Sequence, residues 1–421
     1  MKPLNDVTAM VVGHGSEVGF ARVLGRSYKK VYYYTPNDSD EYPEMKRSRV
    51  GMGYPEIEMV EDFYHDKYRD VDLICFPDVG FGRLQLKCEQ DGKAIWGAKM
   101  GERLEQDRVF AKELLGSLGF AVGPYEIITG VANLRKYLKE HERQWVKISK
   151  WRGEFESFFS PNYKSVELII DEDEHNFGVL KNEVEFIVED ELPDMVETGS
   201  DPYNILGQYP SKYLSGIEVK DRMYPCVMKN HDDMPEQVRA LNDALAPFFQ
   251  ENAYACKFST EIRIDKDGLA YPLDMTTRHP EPPGAAQDVL WSNTADIVWQ
   301  GANGICIDPA EKAKYAVQII LLSDNTSHKK WQSLEFPKAS DRYISLKNSC
   351  VIDGQHYIVP LIELKEFGGA IGYGHNLKDA FDMAAEIADS IEGDGIYWNK
   401  DAYDKAMEQF EALEKQGIKI L

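Results

Sequence analysis

Residues 258–284 read FSTEIRIDKDGLAYPLDMTTRHPEPPG, and two short apolar runs in this stretch set how the rest of the chain is to be understood. The first, Phe258 to Ile264, carries Glu261; the second, Leu269 to Met275, carries Asp274 and leads into Thr276 and Arg278. Between them lies Asp265-Lys266-Asp267-Gly268, and an Asp-Gly step between alternating runs is a hairpin signal. Side chains alternate along a strand, and cross-strand neighbours lie about 5 Å apart, so such a hairpin can set Glu261 and Asp274 side by side. Two carboxylates beside an arginine suit Mg²⁺ carrying a polyphosphate, because Mg²⁺ is usually held by one or two carboxylates plus phosphate oxygens. A plain hairpin with a solvated acidic face satisfies the same pattern.

The chain-wide numbers narrow the classes. A length of 421 residues suggests two to four domains with ample core. The 43% hydrophobic and 28% charged residues are those of a globular protein in water. A net charge of −23 argues against a general nucleic-acid binder, which needs clustered Lys and Arg, but leaves room for a small anion in a local basic pocket. Six scattered cysteines show no zinc-like spacing and read as reduced thiols. No apolar run approaches the roughly 18 to 20 residues that span a bilayer. The first residues, MKPLNDVTAMVVGHGSEVG, lack a signal-peptide pattern. A cytoplasmic protein without membrane or nucleic-acid partners is expected.

The first hundred residues alternate in the α/β manner. Val7 to Val12 reads as a buried strand, followed by the loop Gly13-His14-Gly15-Ser16-Glu17-Val18-Gly19 and a helix to about Tyr28. Strands at Lys30 to Thr35, Val71 to Pro77 and Ala94 to Trp96 continue a parallel sheet. The glycines are spaced GxGxxxG, one residue longer than the dinucleotide fingerprint, and no acid ends the second strand, KKVYYYTP. This speaks against NAD and leaves a tight turn opening a helix over some other anion.

Leu104 to Leu118 has helical periodicity and stops at Gly119. Tyr125 to Ile128 and Gln144 to Ile148 read as strands around a helix at Val131 to Glu140. The second of these strands holds Lys147, a lysine within an apolar run. Such a lysine either snorkels to the surface or points at a ligand anion. Val184 to Val188 is a further strand candidate, residues 194–210 read as a polar stretch, and Met234 to Glu251 as a helix. Glu311 to Leu322 fits a helix or a strand pair, Arg342 to Val359 short strands around Asp353-Gly354, and Leu361 to Gly372 another strand region. Leu377 to Glu392 and Ala402 to Gln416 close the chain as helices.

The order of these parts resembles the ATP-grasp ligases, and within them the glycinamide ribonucleotide synthetases (phosphoribosylamine–glycine ligases), over nearly the whole chain. The stretch FGRLQLKCEQDGKAIWGAKMGERLEQDRVFAKELLGSLGFAVGPYEI resembles the opening of that family's ATP-binding region, and FGGAIGYGHNLKDAFDMAAEIADSIEGDGIYWNKDAYDKAM its C-terminal domain. The hairpin with its TR-x-P-E-P resembles the family's metal hairpin. The resemblance implies an α/β and α+β chain with an ATP-grasp fold. Its parts are a Rossmann-like pre-ATP-grasp domain over residues 1–103, an ATP-grasp region over 104–305 with a smaller lid at 125–192, and a small C-terminal α+β domain over 306–421.

Residue by residue, the resemblance puts Arg108 where the family has a lysine on the nucleotide phosphates, so a planar fork replaces a point donor. Lys147 matches the lysine before the glycine-rich flap. The segment from Glu189 through Glu191 to Leu192 matches the one that reads adenine by backbone hydrogen bonds, with Glu197 as a looser candidate for the ribose hydroxyls. Glu261 and Asp274 match the metal ligands, and Arg278 the arginine near the transferred phosphoryl. Thr276 stands where the family has Asn; its hydroxyl can still meet Mg²⁺.

The flap Lys150-Trp151-Arg152-Gly153-Glu154 has one glycine where the family has several. The loop GHGSEVG lacks the Gly-Arg-Glu-His that, with the hairpin's Asp-Pro-Glu region, helps the family hold phosphoribosylamine and glycine. Here that region reads His279-Pro280-Glu281-Pro282-Pro283-Gly284, and His279 is a candidate acceptor of the amine's proton.

The ATP half of the pattern is thus better kept than the acceptor half. The resemblance accordingly implies an ATP-dependent carboxylate–amine ligase working through an acyl phosphate, with ATP and Mg²⁺ (or Mn²⁺) and a changed small-molecule carboxylate or amine, as a monomer or homodimer. Phosphoribosylamine–glycine ligase itself, or a non-catalytic ATP-binding module, are the alternatives.

Overall fold

The computed structural model describes residues 1–36, 49–150, 157–192, 195–361 and 364–420. The described chain forms two compact units: Met1–Gly101 with Thr198–Thr260 and Thr276–Leu421, and Glu102–Glu197 with Glu261–Met275.

The first unit contains the expected parallel sheet, in the order Glu58–Val60, Lys30–Tyr34, Thr8–Val12, Leu73–Cys75, Ala94–Trp96. Every residue of Thr8–Val12 is buried, as an apolar run in the middle of a parallel sheet must be. The chain leaves this central strand to one side and returns on the other. Thr8–Val12 and Leu73–Cys75 therefore flank a topological switch point, whose carboxyl ends lead into residues 13–17 and 76–81.

The same unit holds an antiparallel sheet through Lys212–Gly216, Met223–Asn230, Tyr315–Ser323, Glu366–Gly374 and Ile344–Leu346, with Ile396–Tyr397 beside Tyr315–Ser323. Of the two readings for Glu311 to Leu322, the structure takes neither: one long buried strand, Tyr315–Ser323, occupies the stretch. Its run of apolar residues is buried on both faces, which erases the alternation that marks a half-exposed strand. Helix Leu377–Asp389 covers the sheet at close range: a Cβ on Gly372 would lie 2.2 Å from the Ala380 carbonyl oxygen, so only glycine fits there. Asp353 and Gly354 both have positive φ and turn Ser349–Ile352 into Gln355–Ile358, as a two-residue hairpin of this type requires.

Long-range bonds hold the first unit's distant segments together. Arg22 pairs with Glu56 at 3.0 Å and Asp341 at 2.6 Å, the Tyr28 hydroxyl donates to the Ala295 carbonyl, and the Asn348 amide donates to the Gly15 carbonyl.

The second unit is built on a four-stranded antiparallel sheet in the order Tyr125–Thr129, Glu185–Asp190, Gln144–Ile148, Ser157–Ser160. Helices Val131–Glu140 and Tyr163–Phe177 bury Val131, Leu134, Leu138, Val166 and Ile170 against Val146, Ile148, Phe186 and Val188 of the sheet. Where one helix was expected over Leu104 to Leu118, two form, Arg103–Gln106 and Arg108–Ser117. Asp107 interrupts them. It leaves helical geometry, and its carboxylate accepts the Phe110 amide at 3.1 Å as an N-cap. The polar stretch 194–210 contains two strands, Val196–Ser200 and Tyr203–Ile205.

Candidate active site

Strand pairing decides where Lys147 points. Val146 and Ile148 enter the core beneath the helices, so Lys147 projects from the opposite face of the sheet. On the neighbouring strand Trp145 stands opposite Glu189, which places Glu189 diagonally across from Lys147 on that face. The Lys147 ammonium donates to the Glu189 carboxylate at 3.2 Å, and Lys112 approaches its other oxygen at 3.5 Å. Glu189 and Lys112 are both buried. Burial pushes the Lys112 ammonium below its ordinary range, and Glu189 opposes that push. The Arg108 guanidinium, at the first position of its capped helix, donates to the Ile148 carbonyl at 2.6 Å, next in chain to Lys147. Lys147 and Lys112, far apart in sequence, thus meet at Glu189, with Arg108 bonded to the backbone next to Lys147.

Other residues of the adenine and ribose set are engaged within the protein. The Asp190 amide donates to Pro124 O at 3.2 Å and the Glu191 amide to Arg143 O at 3.1 Å, while the Glu191 carboxylate pairs with Arg143. Leu192 lies within 4 Å of the space beside Gly123. Glu197 pairs with Arg263 at 3.2 Å. Of the flap, Lys150 faces Asp107 at 3.7 Å, and residues 151–154 lie outside the described residues.

The expected hairpin forms from Ser259–Ile264 and Ala270–Thr276. Its turn is closed by Asp265, whose amide donates to Leu269 O and whose carboxylate accepts the Asp267 and Leu269 amides. Thr260, Ile262 and Ile264 face inward, so Glu261 sits on the opposite, partly accessible side. On the second strand the burial pattern steps out of phase between Pro272 and Met275, and Asp274 is exposed there. Thr276 ends this strand, half-buried. Among the described residues no three His, Cys, Asp or Glu side chains gather as a metal cage. Glu261 and Asp274 are thus each accessible carboxylates on this hairpin, the ligand type that Mg²⁺ takes in ones or twos beside phosphate oxygens.

Beyond the hairpin, in the first unit, Arg278 approaches Asp78 at 3.6 Å. His279 is buried, its Nε2 3.6 Å from Asp288, and Asp288 pairs with the buried Lys257 at 2.6 Å. Burial, with the Lys257 and Arg278 charges, holds the His279 imidazole well below the ordinary histidine range, so it is neutral at pH 7. Glu281 accepts from Gln318 at 2.5 Å, and burial pushes its carboxyl up to about 6 against the pull of Lys347.

The GHGSEVG loop forms the expected tight turn and opens helix Val18–Gly25. No external anion is needed to satisfy it. Glu17 folds back, accepting the His14 amide at 3.0 Å, the Gly15 amide at 3.1 Å and the Ser16 hydroxyl at 2.9 Å.

Sequence reasoning passed over Lys112, Lys257 and Asp288. Lys257 carried the signal seen at Lys147, a lone lysine in an apolar run, YACKF. Lys112 lies within an ordinary amphipathic pattern and had none.

No family model and no curated protein matches the chain. Solved structures do. A phosphoribosylamine–glycine ligase from Thermotoga maritima superposes with a TM-score of 0.66 over 94% of this chain and 100% of its own, at 16% identity. The biotin carboxylase domain of a 2-oxoglutarate carboxylase from Hydrogenobacter thermophilus, solved as a dimer with MgADP, ADP and bicarbonate, gives 0.65 over 99% of each chain at 12% identity. An N5-carboxyaminoimidazole synthetase from Staphylococcus aureus complexed with ADP gives 0.57 over 91% of this chain and 98% of its own, at 15% identity. The chain has the ATP-grasp fold, as its resemblance implied. Among the described residues, no helix is long and apolar enough to cross a membrane.

Proposed function

We propose that this protein is an ATP-dependent ligase that joins a carboxylate to an amine. The observation that carries the reading is the patch of Arg108, Lys112, Lys147 and Glu189. Two lysine ammonium groups meet at one buried carboxylate, and a guanidinium is bonded to the backbone beside them, in a chain of net charge −23. Nucleotide-bound relatives of the same fold support it.

A carboxylate is a poor electrophile, so amide formation first needs a leaving group. One carboxylate oxygen bonds to the γ-phosphorus of ATP as the bond to the β–γ bridging oxygen breaks, giving an acyl phosphate and ADP. The amine then attacks the acyl carbon, phosphate leaves with the electron pair of the C–O bond, and the amine loses a proton. Such phosphoryl transfer asks a protein mainly for positioning and for neutralisation of charge. Lys147 and Arg108 hold the phosphates, and Arg278 stabilises the phosphoryl group in transit. Glu189, Glu191, Leu192 and Glu197 belong to the adenosine end. Glu261, Asp274 and Thr276 would hold magnesium or manganese, which when bound would neutralise phosphate charge. His279 is a poor acceptor for the amine's proton, because burial with the Lys257 and Arg278 charges disfavours its protonated form.

The test needs no knowledge of the substrate. ATP with Mg²⁺ raises the melting temperature, because a ligand of the native state stabilises it, and ADP appears with an acid–amine pair from a metabolite panel. An unmoved melting temperature removes the nucleotide assignment. ATP binding without ADP from any pair leaves a binding module.

A further inference from the structure

The loop after the central parallel strand is shaped to take an anion and already contains one. Successive backbone N–H groups turned to one side form a concavity for negative charge, and the crevice at a topological switch point is where open α/β sheets bind ligands. Here the donors of that concavity, the His14 and Gly15 amides and the Ser16 hydroxyl, all meet the Glu17 carboxylate. Glu17 is only 5% exposed, and its position is cut to fit: a Cβ on Gly13 would lie 2.5 Å from its Oε2. Burial pushes the Glu17 carboxyl up, and the charge of Asp78, in the segment that follows Leu73–Cys75 across the switch point, pushes the same way; Asp78 is itself paired with Arg278 at 3.6 Å.

We infer that Glu17 is a specificity-determining residue that bars phosphate from this loop, so that the amine joined by the enzyme carries no phosphate group there. The inference deepens the ligase reading and rests on it for the word amine. A phosphate would have to displace a buried carboxylate from three hydrogen bonds before it could reach these donors. Phosphoribosylamine is excluded by the same contacts. An uncharged or cationic amine meets no such conflict.

Ribose 5-phosphate is the probe, titrated calorimetrically into wild type, Glu17→Ala and Glu17→Gln. The alanine variant frees the loop donors; the glutamine variant keeps an oxygen on them. Binding at Lys147 or Arg108 is common to all three and cancels in the comparison. Glu17→Ala binds the probe at least about tenfold more tightly than wild type and Glu17→Gln, as one regained charge-assisted hydrogen bond requires. Glu17→Ser, too short to reach the same donors, serves if the alanine variant does not fold. Equal affinities across the series overturn the inference. So does a wild-type crystal soaked in ribose 5-phosphate that shows its phosphate on the His14 and Gly15 amides. Failure of the ligase reading shows elsewhere, as absence of ADP release with every acid–amine pair, and leaves this comparison standing.

Discussion

Lys147 and Glu189 face each other diagonally across two antiparallel strands, the ammonium 3.2 Å from the carboxylate. The pair presents a partly exposed cation held in place by a buried acid, an arrangement suited to receive a phosphate without losing side-chain order. Replacing Lys147 with Ala removes one charged donor, worth about 1.5–3 kcal/mol, so ATP binding weakens roughly ten- to hundredfold. Calorimetric titration of ATP measures it. Unchanged affinity would mean that Lys147 serves only Glu189.

The hairpin carboxylates act on turnover more than on binding. Glu261→Gln and Asp274→Asn are each expected to lower ADP release by roughly a hundredfold or more, the usual effect of losing a preorganised charge contact in a transition state. Nucleotide binding measured without magnesium stays within a few-fold of wild type. Thr276→Asn installs the residue that the resemblance puts at this position and is expected to raise metal-dependent turnover; a loss there shows a pocket rebuilt around threonine.

Asp201 links the root of this hairpin to pH. It is buried, accepts the Ser259 hydroxyl at 2.6 Å and pairs with the Tyr224 hydroxyl, and burial pushes its carboxyl up to about 7. Between about pH 4 and 7 the unfolded chain has released this proton and the folded chain keeps it. The folded state then binds more protons, so this group's contribution to stability falls as pH rises through that window. A shift of this size amounts to a few kcal/mol at ~1.4 kcal/mol per unit. In Asp201→Asn that loss disappears, and urea unfolding at pH 4.5 and 7.5 shows a smaller fall, or a larger gain, than wild type. Identical pH dependence in both proteins would refute the assignment.

The Lys257–Asp288 pair is buried at both ends, with burial lowering the lysine and raising the aspartate against their attraction. Asp288→Ala alone is expected to cost about 3–5 kcal/mol, because it strands a buried ammonium. The double variant Lys257→Met, Asp288→Leu recovers most of that, since replacing a whole buried pair by apolar groups is often neutral. Denaturant melts of wild type, the single and the double variant decide it: a double variant no more stable than Asp288→Ala would show that no stranded charge had been relieved.

Much of the fold was legible in short-range chemistry. The Asp267-Gly268 turn, the capped Leu377–Asp389 helix and the Asp353-Gly354 turn each fix local geometry within a few residues. Met223–Asn230 was not legible. It is buried along both faces for six residues and includes Pro225, so neither alternation nor composition marks it as a strand. Tyr163–Phe177 hid for the opposite reason: its acidic face dominates, and only Val166 and Ile170 anchor its apolar side. At the site, Lys147 was visible because a lysine between Val146 and Ile148 breaks an apolar run. Its partner was not, since nothing in the sequence pairs residue 147 with residue 189. The self-filled loop escaped for a related reason. Spacing shows that GHGSEVG turns tightly, but which way Glu17 points depends on the strands around it.

The larger unit is stitched from segments far apart in the chain. Arg22 needs Asp341, Tyr28 needs Ala295, and Gly15 receives Asn348. On the ribosome these contacts wait for residues 295 to 348, while most of the smaller unit, residues 102–197, precedes them as one contiguous stretch. A chain truncated before Asp341 would therefore keep the contiguous part of the smaller unit and lose the contacts that tie Arg22 and Gly15 into the larger one.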